Sequence, residues 1–149
     1  MNLTEHFTLR ELTKSQTSER LGIDNQPDSE QMLKLRLLCS NILEPIREAF
    51  NIPFTPSSGF RSSDLNAKIG GSFNSQHCRG EAADIEVPGV NNLELAFWIK
   101  DNINYDQLIL ECWNGTPESG WVHVSFATKP RFDILTFNKK LGYKKGLPE

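Results

Sequence analysis

Two histidines and two carboxylates of this sequence form a set that could bind and use a metal ion. His77 lies seven residues before Asp84 in FNSQHCRGEAADIEV, and His123 lies in GWVHVSFA. Two neutral imidazoles and one carboxylate suit zinc, whose catalytic sites keep a fourth position open to water. Zinc lowers the pKa of that water to about 7. A nearby carboxylate such as Glu111 would then accept the proton and pass it to a leaving amine.

The elements that must position these residues are short strands with alternating apolar side chains. In AADIEV, WVHVSFA and DQLILE every second residue is apolar. One sheet with one buried face would therefore leave Asp84, His123 and Glu111 together on its open face. His77 lies in the loop before the first of these strands, and Gly80 allows that loop to bend sharply.

Each of these residues also has an ordinary structural interpretation. A single histidine on a strand is more often a hydrogen-bonded residue than a ligand, and Asp84 alone is most simply a solvated carboxylate. The metal interpretation gains weight because two of the three histidines and a well-placed aspartate occur together. The pattern alone leaves both interpretations open.

The remaining pattern predicts an α+β domain with helices packed on a small, mostly antiparallel sheet. Thr8 and Glu11 form a capping box for a first short helix. A long amphipathic helix should follow Asp28 and run to about Phe50, with a kink or break caused by Pro45. We expect one domain over residues 1–137, followed by a polar, frayed tail over residues 138–149.

Composition and charge narrow the classes of partner. The formal net charge of −3 gives no electrostatic footprint for nucleic acid. No apolar window approaches the roughly 18 residues of a membrane span, and the N-terminus lacks the pattern of a signal peptide. Cys39, Cys78 and Cys112 are predicted to be free thiols of a chain made in a reducing compartment. We therefore expect a cytoplasmic, monomeric protein with a small-molecule or peptide ligand.

Three segments carry a family resemblance. SQHCRGEAADI resembles the Ser-x-His-x-x-Gly-x-Ala-x-Asp signature of the zinc D-Ala-D-Ala carboxypeptidase family, which is related to the hedgehog fold and includes phage peptidoglycan endolysins. SGFRS is similar to the family's arginine segment, and GWVHVSF is similar to the strand with the last zinc ligand. The resemblance extends from about Phe7 to Phe137.

The resemblance implies a role for each matching residue. It implies that His77, Asp84 and His123 bind zinc and that Arg61 lies beside the substrate. Several relatives carry the catalytic glutamate three residues before the last histidine, where this sequence has Gly120.

Other candidates must then supply the base. Glu111 resembles the glutamate of the phage-type subgroup, and Glu118 is the second candidate. Ser75 and Gln107 could contact substrate, although a turn residue and a solvated strand residue are the ordinary interpretations of these two.

The function implied is zinc-dependent hydrolysis of an amide bond in peptidoglycan stem peptides, of either the D-Ala-D-Ala carboxypeptidase or the L-Ala-D-Glu endopeptidase type. A phage or prophage endolysin, acting on the cell wall after its release, fits this expectation. One alternative is a non-catalytic zinc-containing binding module of the same fold. Another is a cysteine peptidase that uses Cys112 or Cys78 with a histidine.

Overall fold

The structure, a computed structural model, describes all 149 residues. The α-helices are α1 (Leu9–Thr13), α2 (Gln16–Leu21), α3 (Ser29–Leu38), α4 (Glu44–Phe50), α5 (Ser63–Lys68) and α6 (Asn92–Asn102). The strands are β1 (Ala82–Ile85), β2 (Gln107–Glu111), β3 (Trp121–Ser125), β4 (Asp133–Asn138) and β5 (Gly142–Lys145). None of the helices combines the length and the apolar character that crossing a membrane requires.

The five strands form one sheet in the order β1-β3-β2-β4-β5. All neighbours are antiparallel except β2 and β4, which are parallel. The predicted α+β fold with a mostly antiparallel sheet is therefore confirmed. β2 and β3 form a hairpin, since they pair across the loop that contains Asn114 and Gly115, a dipeptide typical of hairpin turns.

One face of the sheet packs on the helices and forms the core. Val122 and Val124 of β3 are fully buried there, as are Leu108 and Leu110 of β2. They join a cluster to which α3, α4 and α6 also contribute buried side chains. The alternation predicted from the sequence is thus confirmed for these strands, and the opposite face of the sheet is left for polar side chains.

The long helix is interrupted before Pro45, as predicted. Between α3 and α4 the chain forms one π-helical turn, Cys39–Leu43, in which the Glu44 N–H donates to the Cys39 carbonyl. A proline has no N–H to donate and its ring crowds the preceding turn, so a wider turn accommodates it without ending the helix.

The C-terminal segment differs from its prediction. We expected a frayed tail after residue 137, but Gly142–Lys145 forms β5, antiparallel to β4. The Phe137 and Tyr143 rings pack 4.6 Å apart across this hairpin. The prediction of a tail was based on the polar composition of this segment. It failed because the sequence does not show that β4 has a free edge with which the segment can pair.

Candidate metal centre

The register of β1 and β3 brings Asp84 and His123 together. The two residues are direct cross-strand partners in the antiparallel pair. Their neighbours Ala83, Ile85, Val122 and Val124 are fully buried in the core. Because successive side chains alternate between faces, Asp84 and His123 lie on the open face, as the strand pattern predicted.

His77 reaches the same place from a short 3-10 turn, Gln76–Arg79. The Ser75 hydroxyl accepts a hydrogen bond from the His77 N–H, and Gly80 ends the turn with φ +78°. A Cβ at Gly80 would lie 2.6 Å from the Gln31 backbone oxygen, so this position needs glycine for both its conformation and its packing. The turn is thereby fixed against α3, and His77 is almost fully buried.

The three side chains form one compact cluster. Asp84 Oδ1 lies 3.3 Å from His77 Nε2 and 3.1 Å from His123 Nδ1. One ligand atom from each residue lies within 4.8 Å of the others. Burial raises the pKa of Asp84, but the His123 and His77 imidazoles beside it outweigh burial and hold that pKa below its usual range. Asp84 is therefore a carboxylate at neutral pH.

The donor set fits a zinc ion. His77 Nδ1 lies 2.7 Å from the Gly59 carbonyl oxygen, which only accepts, so Nδ1 carries a proton. In the neutral ring, Nε2 then presents a lone pair toward the Asp84 carboxylate. Two acceptors at 3.3 Å repel each other unless a cation lies with them. A carbonyl that fixes the tautomer of a histidine is also a common outer partner in metal sites.

Glu111 is the carboxylate on the open side of this cluster. Burial raises the pKa of Glu111 and outweighs the lowering influence of the nearby His123, and the Asp84 carboxylate adds to the rise. Its Oε1 atom is buried without a hydrogen-bond partner in the protein. A buried acceptor without a partner is costly, which is typical of an atom that meets a ligand or substrate.

The alternative base, Glu118, is exposed and does not line this cleft. The position that carries the base in several relatives, Gly120, adopts φ +68°, and a Cβ there would lie 1.7 Å from the Glu111 backbone oxygen. No side chain fits at residue 120 in this fold. The geometry therefore favours Glu111.

The cluster opens on a polar cleft of about 650 Å³. Arg61, Ser75 and Gln107, which the sequence suggested as substrate contacts, all line it. The Arg61 Nε atom is buried without a partner in the protein. The Gln107 amide nitrogen donates to Asp133 Oδ2 at 2.8 Å, and the Ser75 hydroxyl serves the His77 turn as described above.

Arg131 and Tyr143 are among the cleft residues that the sequence pattern did not predict. Arg131 follows β3 and Tyr143 lies on β5, and both line the cleft. Tyr143 was assigned to the tail, although alternation along a recognised β5 would have put it on the face opposite Lys144. Arg131 had no local signal, since it is held in place by the distant Asp106.

The cysteines lie outside the cleft. Neither Cys78 nor Cys112 lines it, and Cys39 is buried in the core. Burial raises the pKa of the Cys78 thiol, which keeps the sulfur protonated and weakly nucleophilic. These positions disfavour the cysteine peptidase alternative.

Comparison with known protein families identifies a match. The model of a family described as Peptidase M15 matches residues 5–125, which is most of the chain. This stretch contains the three clustered side chains and Glu111. None of the curated proteins compared with the chain matches it.

Proposed function

The chain belongs to the peptidase M15 family, and on that premise we propose that it is a zinc peptidase that hydrolyses an amide bond in peptidoglycan stem peptides. The observation that carries the proposal is the cluster of two imidazoles and one carboxylate at the floor of a polar cleft. Beside it lies a carboxylate with an unpartnered buried oxygen.

His77 Nε2, Asp84 Oδ1 and His123 Nδ1 would hold the metal. A zinc ion bound there supplies Lewis acidity, which makes water nucleophilic near neutral pH and polarises a carbonyl. The chain's own contribution is to orient both imidazoles. The Gly59 carbonyl does this for His77, and the direct pairing of β1 with β3 does it for His123.

Glu111 is the proposed general base and acid. Its carboxylate takes a proton from the attacking water and returns it to the leaving amine. Two observations support this role. The Glu111 Oε1 atom has no hydrogen-bond partner in the protein, and Glu111, the last residue of β2, lines the cleft. Positioned proton transfer of this kind contributes about 10²–10⁴-fold to the rate.

Arg61 is proposed to hold negative charge on the substrate. Its backbone N–H donates to the His77 carbonyl at 3.1 Å, which ties its segment to the metal-binding turn. Its buried, unpartnered Nε would donate to a carboxylate of the peptide or to the oxyanion that forms at the scissile carbonyl. Ser75 and Gln107, which also line the cleft, complete the proposed substrate contacts.

The proposal is tested by incubating the zinc-loaded chain with a synthetic stem pentapeptide and identifying the products by mass spectrometry. Release of the terminal D-Ala indicates a carboxypeptidase, and cleavage after L-Ala indicates an endopeptidase. Zinc binding without any hydrolysis of peptide or purified peptidoglycan would contradict the proposal and favour a binding module. The phage or prophage role and the site of action stay predictions from the resemblance.

A further inference from the structure

One wall of the cleft is built by chain that follows the family match. The match ends at residue 125. Arg131 lies in the loop from β3 to β4, and Tyr143 lies on β5, which pairs with β4 at the far edge of the sheet. Both side chains line the cleft. Any contact that these two side chains make with a ligand therefore comes from outside the matched segment.

Arg131 is held at the cleft by a buried carboxylate. Its backbone N–H and its Nε each donate to Asp106 Oδ1 at 3.0 Å, and its Nη2 donates to Asp106 Oδ2 at 2.7 Å. The Asp106 side chain is 4% exposed, whereas that of Arg131 is 58% exposed. The arginine is thus anchored on one edge of its guanidinium, and the other edge faces solvent.

The free edge of Arg131 has donors to offer. Its Nη1 atom makes none of the protein's hydrogen bonds, whereas Nε and Nη2 are used by Asp106. A guanidinium carries five N–H donors in a planar fork that matches a carboxylate. Because Asp106 fixes the orientation in advance, binding a ligand immobilises little additional side-chain freedom.

The other arginines of the cleft have different surroundings. Arg79 is engaged by Glu81 at 2.8 Å and by the Asn74 carbonyl, at the rim of the metal-binding turn. Arg61 lies beside that turn and already has a proposed ligand. Arg131 is therefore the cleft guanidinium with a fixed orientation and no assigned ligand.

We propose that Arg131 binds a second carboxylate of the substrate, at a different position of the peptide from the group that Arg61 holds. This inference rests on the proposed function and specifies the substrate as a peptide with two recognised carboxylates. A substrate in which the second carboxylate is amidated lacks the charge that Arg131 recognises, so the residue determines specificity between the two forms.

The test is a set of four stem pentapeptides in which the D-glutamate α-carboxyl and the C-terminal carboxyl are each free or amidated. To prevent turnover during the titration, their dissociation constants are measured by calorimetry in a Glu111→Gln background, for the zinc-loaded chain with wild-type Arg131, Arg131→Gln or Arg131→Lys. Arg47→Gln on α4, which makes the same charge change away from the cleft, is the matched control. Hydrolysis of each peptide by the wild type is measured in parallel.

In the wild type and in Arg47→Gln, amidation of the carboxylate that Arg131 binds should weaken binding about tenfold or more, because the charge that the guanidinium recognises is lost. Arg131→Gln should abolish that penalty and leave the penalty at the other carboxylate in place. Arg131→Lys should retain part of it, because the charge remains but the fork is lost.

Equal penalties in the wild type and Arg131→Gln would overturn the inference, and so would an equal loss of affinity for all four peptides, which indicates a purely structural role. If the amidation penalty is present in the wild type and absent in Arg131→Gln, but no peptide is hydrolysed, the result would contradict the peptidase proposal alone. Hydrolysis with unchanged penalties would contradict the Arg131 inference alone, and a wild type that neither binds nor cleaves any of the peptides would contradict both.

Discussion

A Cβ added to Gly120 would lie 1.7 Å from the backbone oxygen of Glu111. The last residue of β2 and the residue before β3 are thus in contact through their backbones, with no room for a side chain at residue 120. The place where several relatives carry their catalytic glutamate is closed in this chain. The side chain of Glu111 lies on the open face of the sheet and lines the cleft.

The first prediction concerns this close approach. Gly120→Ala should lower the free energy of unfolding by at least about 2 kcal/mol more than Gly115→Ala, because its Cβ meets backbone that cannot move aside. Gly115 is a matched control in the same loop, with φ +99° and open space around it. Its substitution costs only the left-handed conformation, about 1–2 kcal/mol. Urea denaturation of both variants measures the difference, and equal losses would show that residue 120 has room for a side chain.

The second prediction separates the two candidate bases. Glu111→Gln should lower kcat about 10²–10⁴-fold and leave the zinc content unchanged, because the amide keeps the size of the side chain but cannot accept a proton. Glu118→Gln should keep kcat within about twofold, since Glu118 is exposed outside the cleft. Steady-state kinetics on one stem peptide provides the comparison. The opposite ranking of the two variants would assign the base to Glu118.

The third prediction addresses the thiols. Treatment with a zinc chelator should abolish hydrolysis, and added zinc should restore it. Cys78→Ser and Cys112→Ser should each retain activity within about threefold, because neither side chain lines the cleft. Loss of activity in either variant, together with resistance to the chelator, would favour a cysteine peptidase.

The fourth prediction concerns Asp106 and the pH dependence of stability. Hydrogen bonds from Arg131 hold the pKa of Asp106 below its ordinary value of 3.8, and burial opposes this. The folded-state pKa is thus depressed, so the pair contributes stability above that ordinary value and loses it as pH falls through the folded pKa. Asp106→Asn should destabilise the protein by about 1–3 kcal/mol at pH 7, since an amide N–H would then face the N–H groups of Arg131 and Gln76.

The difference between the wild type and Asp106→Asn should shrink as pH falls from the ordinary value of 3.8 toward the depressed folded-state pKa, because the unfolded chain takes up the proton first. Chemical denaturation at a series of pH values measures it, with Asp101→Asn on the exposed end of α6 as the control. A difference that stays constant down to the lowest pH at which the protein folds would show that the charge of Asp106 is not what stabilises this region.

The sequence was informative wherever a pattern is local. Alternation along β1 and β3 was enough to put Asp84 and His123 on one open face, because side chains of a strand alternate whatever its partners are. The loop with His77 could be associated with the same site since Gly80 marks its sharp end. These inferences needed only the local pattern of each segment and the assumption that the strands share one sheet with one buried face.

What escaped prediction depends on pairing between distant segments. The hairpin of β4 and β5 is part of the sheet because β4 pairs in parallel with β2. The amino-acid composition of the segment does not reveal this pairing. Arg131 reaches the cleft only through Asp106, which lies 25 positions earlier. Residue 120 has no room for a side chain because the ends of two strands are in backbone contact there. The sequence showed only that glutamate is missing at this position.

The central claim is that His77, Asp84 and His123 bind one zinc ion. It is tested most directly by elemental analysis of the wild type, His77→Ala and His6→Ala after reconstitution with zinc and desalting. His6, which hydrogen-bonds Glu44 away from the cleft, is the matched control. We expect about one zinc per chain in the wild type and in His6→Ala, and almost none in His77→Ala, which has lost one of three ligands. A wild type without zinc, or a His77→Ala variant with the full amount, would contradict it.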